Sequence, residues 1–171
     1  MIPRAALAAQ AAIIFLGLAC AGAADPPRSA AARPARTVAF QTIEQRAIPG
    51  QSGGEIRKVA RDEASWRALW AELRQGGGEV LPAEPPEVDF LSETAIVVAM
   101  PTQSCVSKVT IQSVVRQGKG AVVDLLEAPP APNCVCAVAE RPFHVIRVPR
   151  IEGDVRFVAK RGQTSCGPNR P

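Results

Sequence analysis

A single stretch of the chain carries helical periodicity and most of the remaining sequence reads as short β segments, which narrows the fold to a sheet with one helix laid on it. Asp62 is a good N-cap and Glu63 stands in the first turn; Trp66, Leu69, Trp70 and Leu73 then succeed them at the i, i+3, i+4, i+7 spacing of one helix face. Gly76-Gly77-Gly78 stops that helix. Both tryptophans of the chain lie on the stripe. Aromatics in helical register with leucines are core more often than a ligand platform, so the helix should pack on something flat.

That surface is expected to be an antiparallel sheet. Residues 38–43 and 56–60 read as strands, and the continuous apolar run 95–100, bounded by Thr94 and Pro101, suits a strand buried on both faces. Residues 106–115 and 121–126 flank Gln117-Gly118-Lys119-Gly120, whose glycines supply the positive φ a hairpin turn needs. Residues 135–138, 143–148 and 155–159 complete the set, the last after the Glu152-Gly153-Asp154 turn. The fold class is α+β or mainly β: a twisted antiparallel sheet, closing towards a sandwich or barrel, with one amphipathic helix on a face.

Five cysteines place the chain in a compartment. Cys20 ends an apolar leader, while Cys105, Cys134, Cys136 and Cys166 lie in the second half. Arg4 gives the leader its positive start, and Ala21-Gly22-Ala23 offers the small residues a signal peptidase reads, so residues 1–23 form a secretory signal. Leu16-Gly17-Leu18-Ala19-Cys20 also resembles a bacterial lipobox, which makes Cys20 the lipidation candidate. Either route leaves an even set of thiols in an exported domain of the periplasm or cell envelope, where bridges form and persist.

Residues 24–36, rich in Pro, Ala and Arg, read as a disordered tether; 37–160 as one domain; and 161–171 as a tail. Loss of the leader removes Arg4 and lowers the formal charge of +4 by one. Basic residues are scattered among acids, without the clustered basic face that nucleic acid requires.

Three motifs carry a family resemblance: Ser65-Trp66-Arg67-Ala68-Leu69-Trp70; Pro86-Glu87-Val88-Asp89-Phe90 leading into the apolar run; and Arg141-Pro142-Phe143-His144-Val145-Ile146-Arg147-Val148-Pro149. Over roughly residues 53–158 the chain resembles the PrcB-like C-terminal domain family, named for a subunit that associates with a bacterial protease complex and stabilises it. The resemblance implies a protein partner, a secreted protease in particular. Taken by themselves the same residues build structure: Trp66, Trp70 and Phe90 as core, and Asp89 as a carboxylate cap on nearby backbone N–H groups at the entrance to the buried strand.

The inventory for catalysis is thin. His144 is the one histidine and alternates with apolar residues, as a structural histidine does. Ser104, Ser107, Ser113 and Ser165 could face it together with Asp124 or Asp154, but none of these serines lies in a nucleophile-elbow context. Carboxylate pairs such as Glu84 with Glu87, or Asp124 with Glu127, read as solvated charges. The sharper alternative is a metal or thiol-redox site built from Cys134, Cys136, His144 and Cys166, three thiolates and an imidazole fit for zinc or cuprous copper. Disulfides are the simpler use of the same thiols. The hairpin at Gly118 predicts Cys105 with Cys134 and leaves Cys136 for Cys166; a slip of one pleat exchanges the first pair for Cys105 with Cys136. The expected protein is an exported, non-catalytic binding domain without cofactor, touching membrane only through a lipid on Cys20.

Overall fold

The computed structural model describes residues 35–76, 81–105, 107–135 and 138–166. The leader 1–23 with Cys20, the tether up to Pro34, Gly77 and Gly78, Cys136 and the end of the tail lie outside the described residues.

Among the described residues, nine strands and one helix run in the order β1 (Arg36–Val38), β2 (Gln41–Pro49), β3 (Ile56–Ala60), α1 (Glu63–Arg74), β4 (Glu93–Ala99), β5 (Gln103–Ser104), β6 (Lys108–Gln117), β7 (Gly120–Ala128), β8 (Ala139–Pro149) and β9 (Val155–Arg161). They form two sheets, β1-β6-β7-β9 and β2-β8-β4-β3, with β5 paired to β8. The sheets face each other, and α1 covers the outer face of the second.

This three-layer arrangement explains the uninterrupted apolar run of β4. Successive side chains of a strand point to opposite faces. Ala95, Val97 and Ala99 therefore join the helix residues Trp66, Leu69, Trp70 and Leu73 in one core, while Ile96, Val98 and Met100 join Ile111, Val123, Leu125 and Ile146 in the core between the sheets. A strand buried on both faces needs no polar alternation.

The helix begins where the capping residues dictate. The Asp62 carboxylate accepts the Ser65 N–H at 2.8 Å, and this bond, with the Ser65 side chain next, holds its pKa below the usual carboxylate range. At the other end Gly76 takes a φ of +103°, a left-handed conformation that glycine tolerates without penalty, and its carbonyl accepts the Ser52 N–H. Buried indoles need acceptors. Trp66 Nε1 donates to the Pro86 carbonyl at 2.8 Å and Trp70 Nε1 to that of Pro82 at 2.9 Å, so the two tryptophans also tie down the proline-rich segment that leads to β4.

Several expectations are corrected. Residues 38–43 do not form one strand: the chain leaves the first sheet after Val38 and enters the second at Gln41. Arg36, assigned to the tether, opens β1 and pairs with Arg116. Val135 and Val138 stand outside any strand, and β8 starts at Ala139. The sheet is not wholly antiparallel, because β9 runs parallel to β7. The parallel run continues past β9: Gly162 N–H donates to the Glu127 carbonyl, Thr164 N–H to that of Pro129, and Pro130 bridges Thr164. What read as a tail is therefore sewn to the sheet as far as Thr164.

Candidate functional site

The cysteines meet differently from the expectation. Cys134 is bonded to Cys166, with α-carbons 5.3 Å apart, so neither Cys105 with Cys134 nor Cys136 with Cys166 exists. The physical reason is the parallel β9: its extension carries Cys166 alongside the segment after β7, whereas the expectation assumed that this segment ran back beside Cys105. Cys105 is also disulfide-bonded and is buried, with its partner outside the described residues. At φ +92° Cys105 holds a backbone conformation that a side chain disfavours. Bonds of this kind fit an oxidising, extracytoplasmic compartment.

His144 is spoken for on both sides. It lies on β8, 2% exposed, with its ring edge-on to Phe40. Its Nδ1 accepts the Ile111 N–H of the opposite sheet at 2.9 Å, which leaves Nε2 to carry the proton it shares with Thr42 Oγ1 at 2.9 Å. Burial, with Lys108 adding repulsion, pushes its pKa down to about 4. A neutral imidazole bonded at both nitrogens has no lone pair for a metal or a substrate proton. The four-ligand metal set is not brought together: two of its thiols are joined to each other and its imidazole is spent between the sheets. Among the described residues no three His, Cys, Asp or Glu side chains gather as metal ligands.

The remaining sequence candidates also scatter. Ser113 donates to Asp124 at 2.6 Å, with no histidine in reach. Ser107 is buried with an unpartnered hydroxyl, its own N–H donating to Glu140 at 2.8 Å, and Ser165 is exposed on the strap beyond β9. Asp89 receives the Leu91 N–H at 3.0 Å and the Ser92 hydroxyl at 2.7 Å, and these bonds, the hydroxyl first, lower its pKa. Phe90 packs partly buried against the helix core.

Two of the clefts among the described residues lie beside the sheets. One, of about 280 Å³, is lined by Glu55, Arg57, Gln103, Glu127 and Arg161 between the two sheets. Arg57 ties them by bonding Glu127 at 2.6 Å, and it also pairs with Glu55. The other, about 320 Å³, lies between β2, β6 and β8, with Ala47, Val109, Pro142 and Phe143 as apolar walls and Thr164 at its rim. Below α1, Arg141 is 2% exposed; its guanidinium donates to the Gly54 carbonyl at 2.8 Å and more weakly to that of Leu73, whose carbonyl also receives Gln51 Nε2 at 2.6 Å. The negative end of the helix dipole thus meets a buried cation. Burial lowers the Arg141 pKa and the Glu72 carboxylate opposes that shift.

The sequence reading missed the roles of Arg57, Arg141 and Thr42, whose partners Glu127, Gly54 and His144 lie far away in the chain. The outer edge shows one further feature, the strand β9, whose Arg156, Lys160 and Arg161 are exposed. No protein-family model, curated protein or solved structure matches the chain.

Proposed function

We propose that the chain is an exported domain that works by binding a protein partner rather than by catalysis, delivered to the periplasm or cell envelope by its signal sequence, with a lipid on Cys20 as the candidate anchor. The observation that carries this reading is the use made of the reactive side chains. The histidine is locked between sheets at both nitrogens, and Cys105, Cys134 and Cys166 are in disulfides. What is left for the surface is shape, charge and open sheet edge, which are the means of a binding module. The motifs around Trp66, Asp89 and Arg141 resemble those of a protease-stabilising family, so a secreted protease is the partner class of first choice. A partner that recognises only the folded protease raises its apparent stability by mass action.

Affinity purification of the full-length protein from its native envelope after lysine cross-linking, followed by mass spectrometry, tests the reading. A stoichiometric protein partner is expected; a chain that emerges alone and monomeric defeats it. The same spectra report the mature N-terminus, where a diacylated Cys20 and an unmodified start near Ala24 distinguish the two processing routes.

A further inference from the structure

The strand β9 forms an edge of its sheet and pairs with β7 alone among the described strands. Its hydrogen-bonding pattern shows which backbone groups remain open. The carbonyl of Asp154 and the N–H groups of Gly162 and Thr164 all point at β7 or its extension. In a parallel pair the backbone groups of alternate residues face the same neighbour, so the even-numbered residues bond to β7. The N–H and C=O groups of Val155, Phe157, Ala159 and Arg161 are left on the free side.

The two faces of that edge differ. Towards the core between the sheets, Val155 and Phe157 are only partly buried, so the apolar layer runs out at the edge without being covered. On the outer face stand Arg156, Val158 and Lys160, the two cations exposed and Val158 half-buried between them. No carboxylate among the described residues pairs with either cation. Among the acids near this face, Asp124 stands beside Val158 on β7 and accepts the Ser113 hydroxyl, and Asp154 precedes the strand. Arg161 lies in the charged cleft with Glu127, so it adds little to the pull of Arg156 and Lys160.

We propose that the open edge of β9 receives an extended acidic segment of a protein partner as an added strand, with acidic side chains meeting Arg156 and Lys160 and apolar ones covering Val155 and Phe157. The inference rests on the binding role given above and names its surface. Main-chain hydrogen bonds supply affinity in this mode of recognition and alternating side chains supply specificity. A second copy of the chain is an outcome the titration separates, as a dimer that forms without peptide, and one symmetric register of it is penalised. An antiparallel β9–β9 pair centred on Val158 sets Arg156 against Lys160 twice, and like charges directly opposed on neighbouring strands are destabilising. The same two cations favour a partner of opposite sign.

The test uses the full-length protein and a capped Glu-Val-Glu-Val-Glu-Val-Glu peptide, with a Lys-Val counterpart as control, titrated by NMR at low salt. Saturable binding of the acidic peptide, with shifts confined to β9 and β7, is expected. Ala159→Pro deletes one N–H on the free side at a position where an edge strand tolerates proline; it should leave the thermal midpoint near that of wild type and weaken the acidic peptide by about tenfold or more. Arg156→Glu with Lys160→Glu should reverse the preference to the Lys-Val peptide. No binding of the acidic peptide to the folded protein overturns the proposal. So does binding that Ala159→Pro leaves unchanged, since that is charge attraction without strand addition, as is equal binding to anionic vesicles. A native partner whose cross-links all map away from β9 overturns this surface while leaving the binding role intact; a chain found alone in the envelope defeats the role itself.

Discussion

His144 makes the stability of this fold depend on pH in a way that can be worked out in advance. Its imidazole titrates at about 4 in the fold, against an ordinary value of 6.5 in an unfolded chain. Between those values the unfolded chain holds a proton that the folded one refuses, so acid favours unfolding. The contribution of His144 is therefore complete above about pH 6.5, declines as the pH falls and is lost by about pH 4. At about 1.36 kcal/mol per pH unit, the whole loss is about 3 kcal/mol. The structural cause is specific: a proton on Nδ1 would confront the Ile111 N–H, two donors at 2.9 Å. Carboxylates titrate over the same range, so the assay must cancel them. Urea unfolding followed by tryptophan fluorescence at pH 7, 6, 5 and 4, on wild type and on the non-titrating His144→Met, does so by difference. The variant should be weaker at pH 7 by about 1–3 kcal/mol, having left a buried N–H unpaired, and its deficit should shrink or reverse by pH 4. Parallel pH profiles for the two proteins would refute the argument.

Other outcomes rest on the packing. Trp66→Ala or Trp70→Ala should cost about 3–5 kcal/mol and compromise folding; an unchanged thermal midpoint would mean the stripe does not hold the helix down. Non-reducing peptide mapping should recover Cys134 linked to Cys166, and Cys166→Ser should cost up to about 4 kcal/mol for a bond across 32 residues; a Cys136–Cys166 peptide would contradict the register of β9. Gly53→Ala should destabilise the domain by calorimetry, because a Cβ there would lie 2.5 Å from the Arg141 guanidinium carbon, and pairing it with Arg141→Met should recover part of the loss. Arg57→Ala should cost about 1–2 kcal/mol by urea titration, more than Glu127→Gln, because the half-buried Glu127 carboxylate is then left without its cation.

The sequence was most legible where the signal is local. Asp62, the tryptophan-leucine stripe and Gly76 lie within one short stretch, and helical periodicity is written at that range. The continuous apolar run of β4 announced a strand buried twice, since no half-exposed strand lacks polar alternation. Legibility failed where partners are remote. Nothing near Phe40 says that the chain changes sheets there, and nothing near Val155 distinguishes an antiparallel return from a parallel one. The disulfide error has a related source: the hairpin register was carried past β7 to set Cys134 beside Cys105, whereas the stretch after β9, read as a tail, runs alongside that segment and brings Cys166 to Cys134. Burial of His144 could be inferred from its apolar neighbours. Its ligation to Ile111 and Thr42 could not, because neither contact exists until both sheets are in place. Arg57, Gln51 and Arg141 were invisible for the same reason: as letters they are ordinary surface residues.

The parallel pairing of β9 also orders events in time. Sheet β1-β6-β7-β9 joins its first strand to one that appears only in the second half of the chain, and β7 keeps an unpaired side until β9 has been made and has crossed over from β8. Until then the Val122-Val123-Asp124-Leu125-Leu126 stretch is a bare apolar edge, the kind that nascent chains misuse for aggregation. Such a chain has little to gain from folding early, and long-range pairings make it a slow folder. Cys166 arrives after every strand, and its bond to Cys134 fixes the end of the parallel extension that follows β9. Once made, the bond confines any chain that opens again, because the loop between Cys134 and Cys166 stays closed and β9 is never far from the free side of β7.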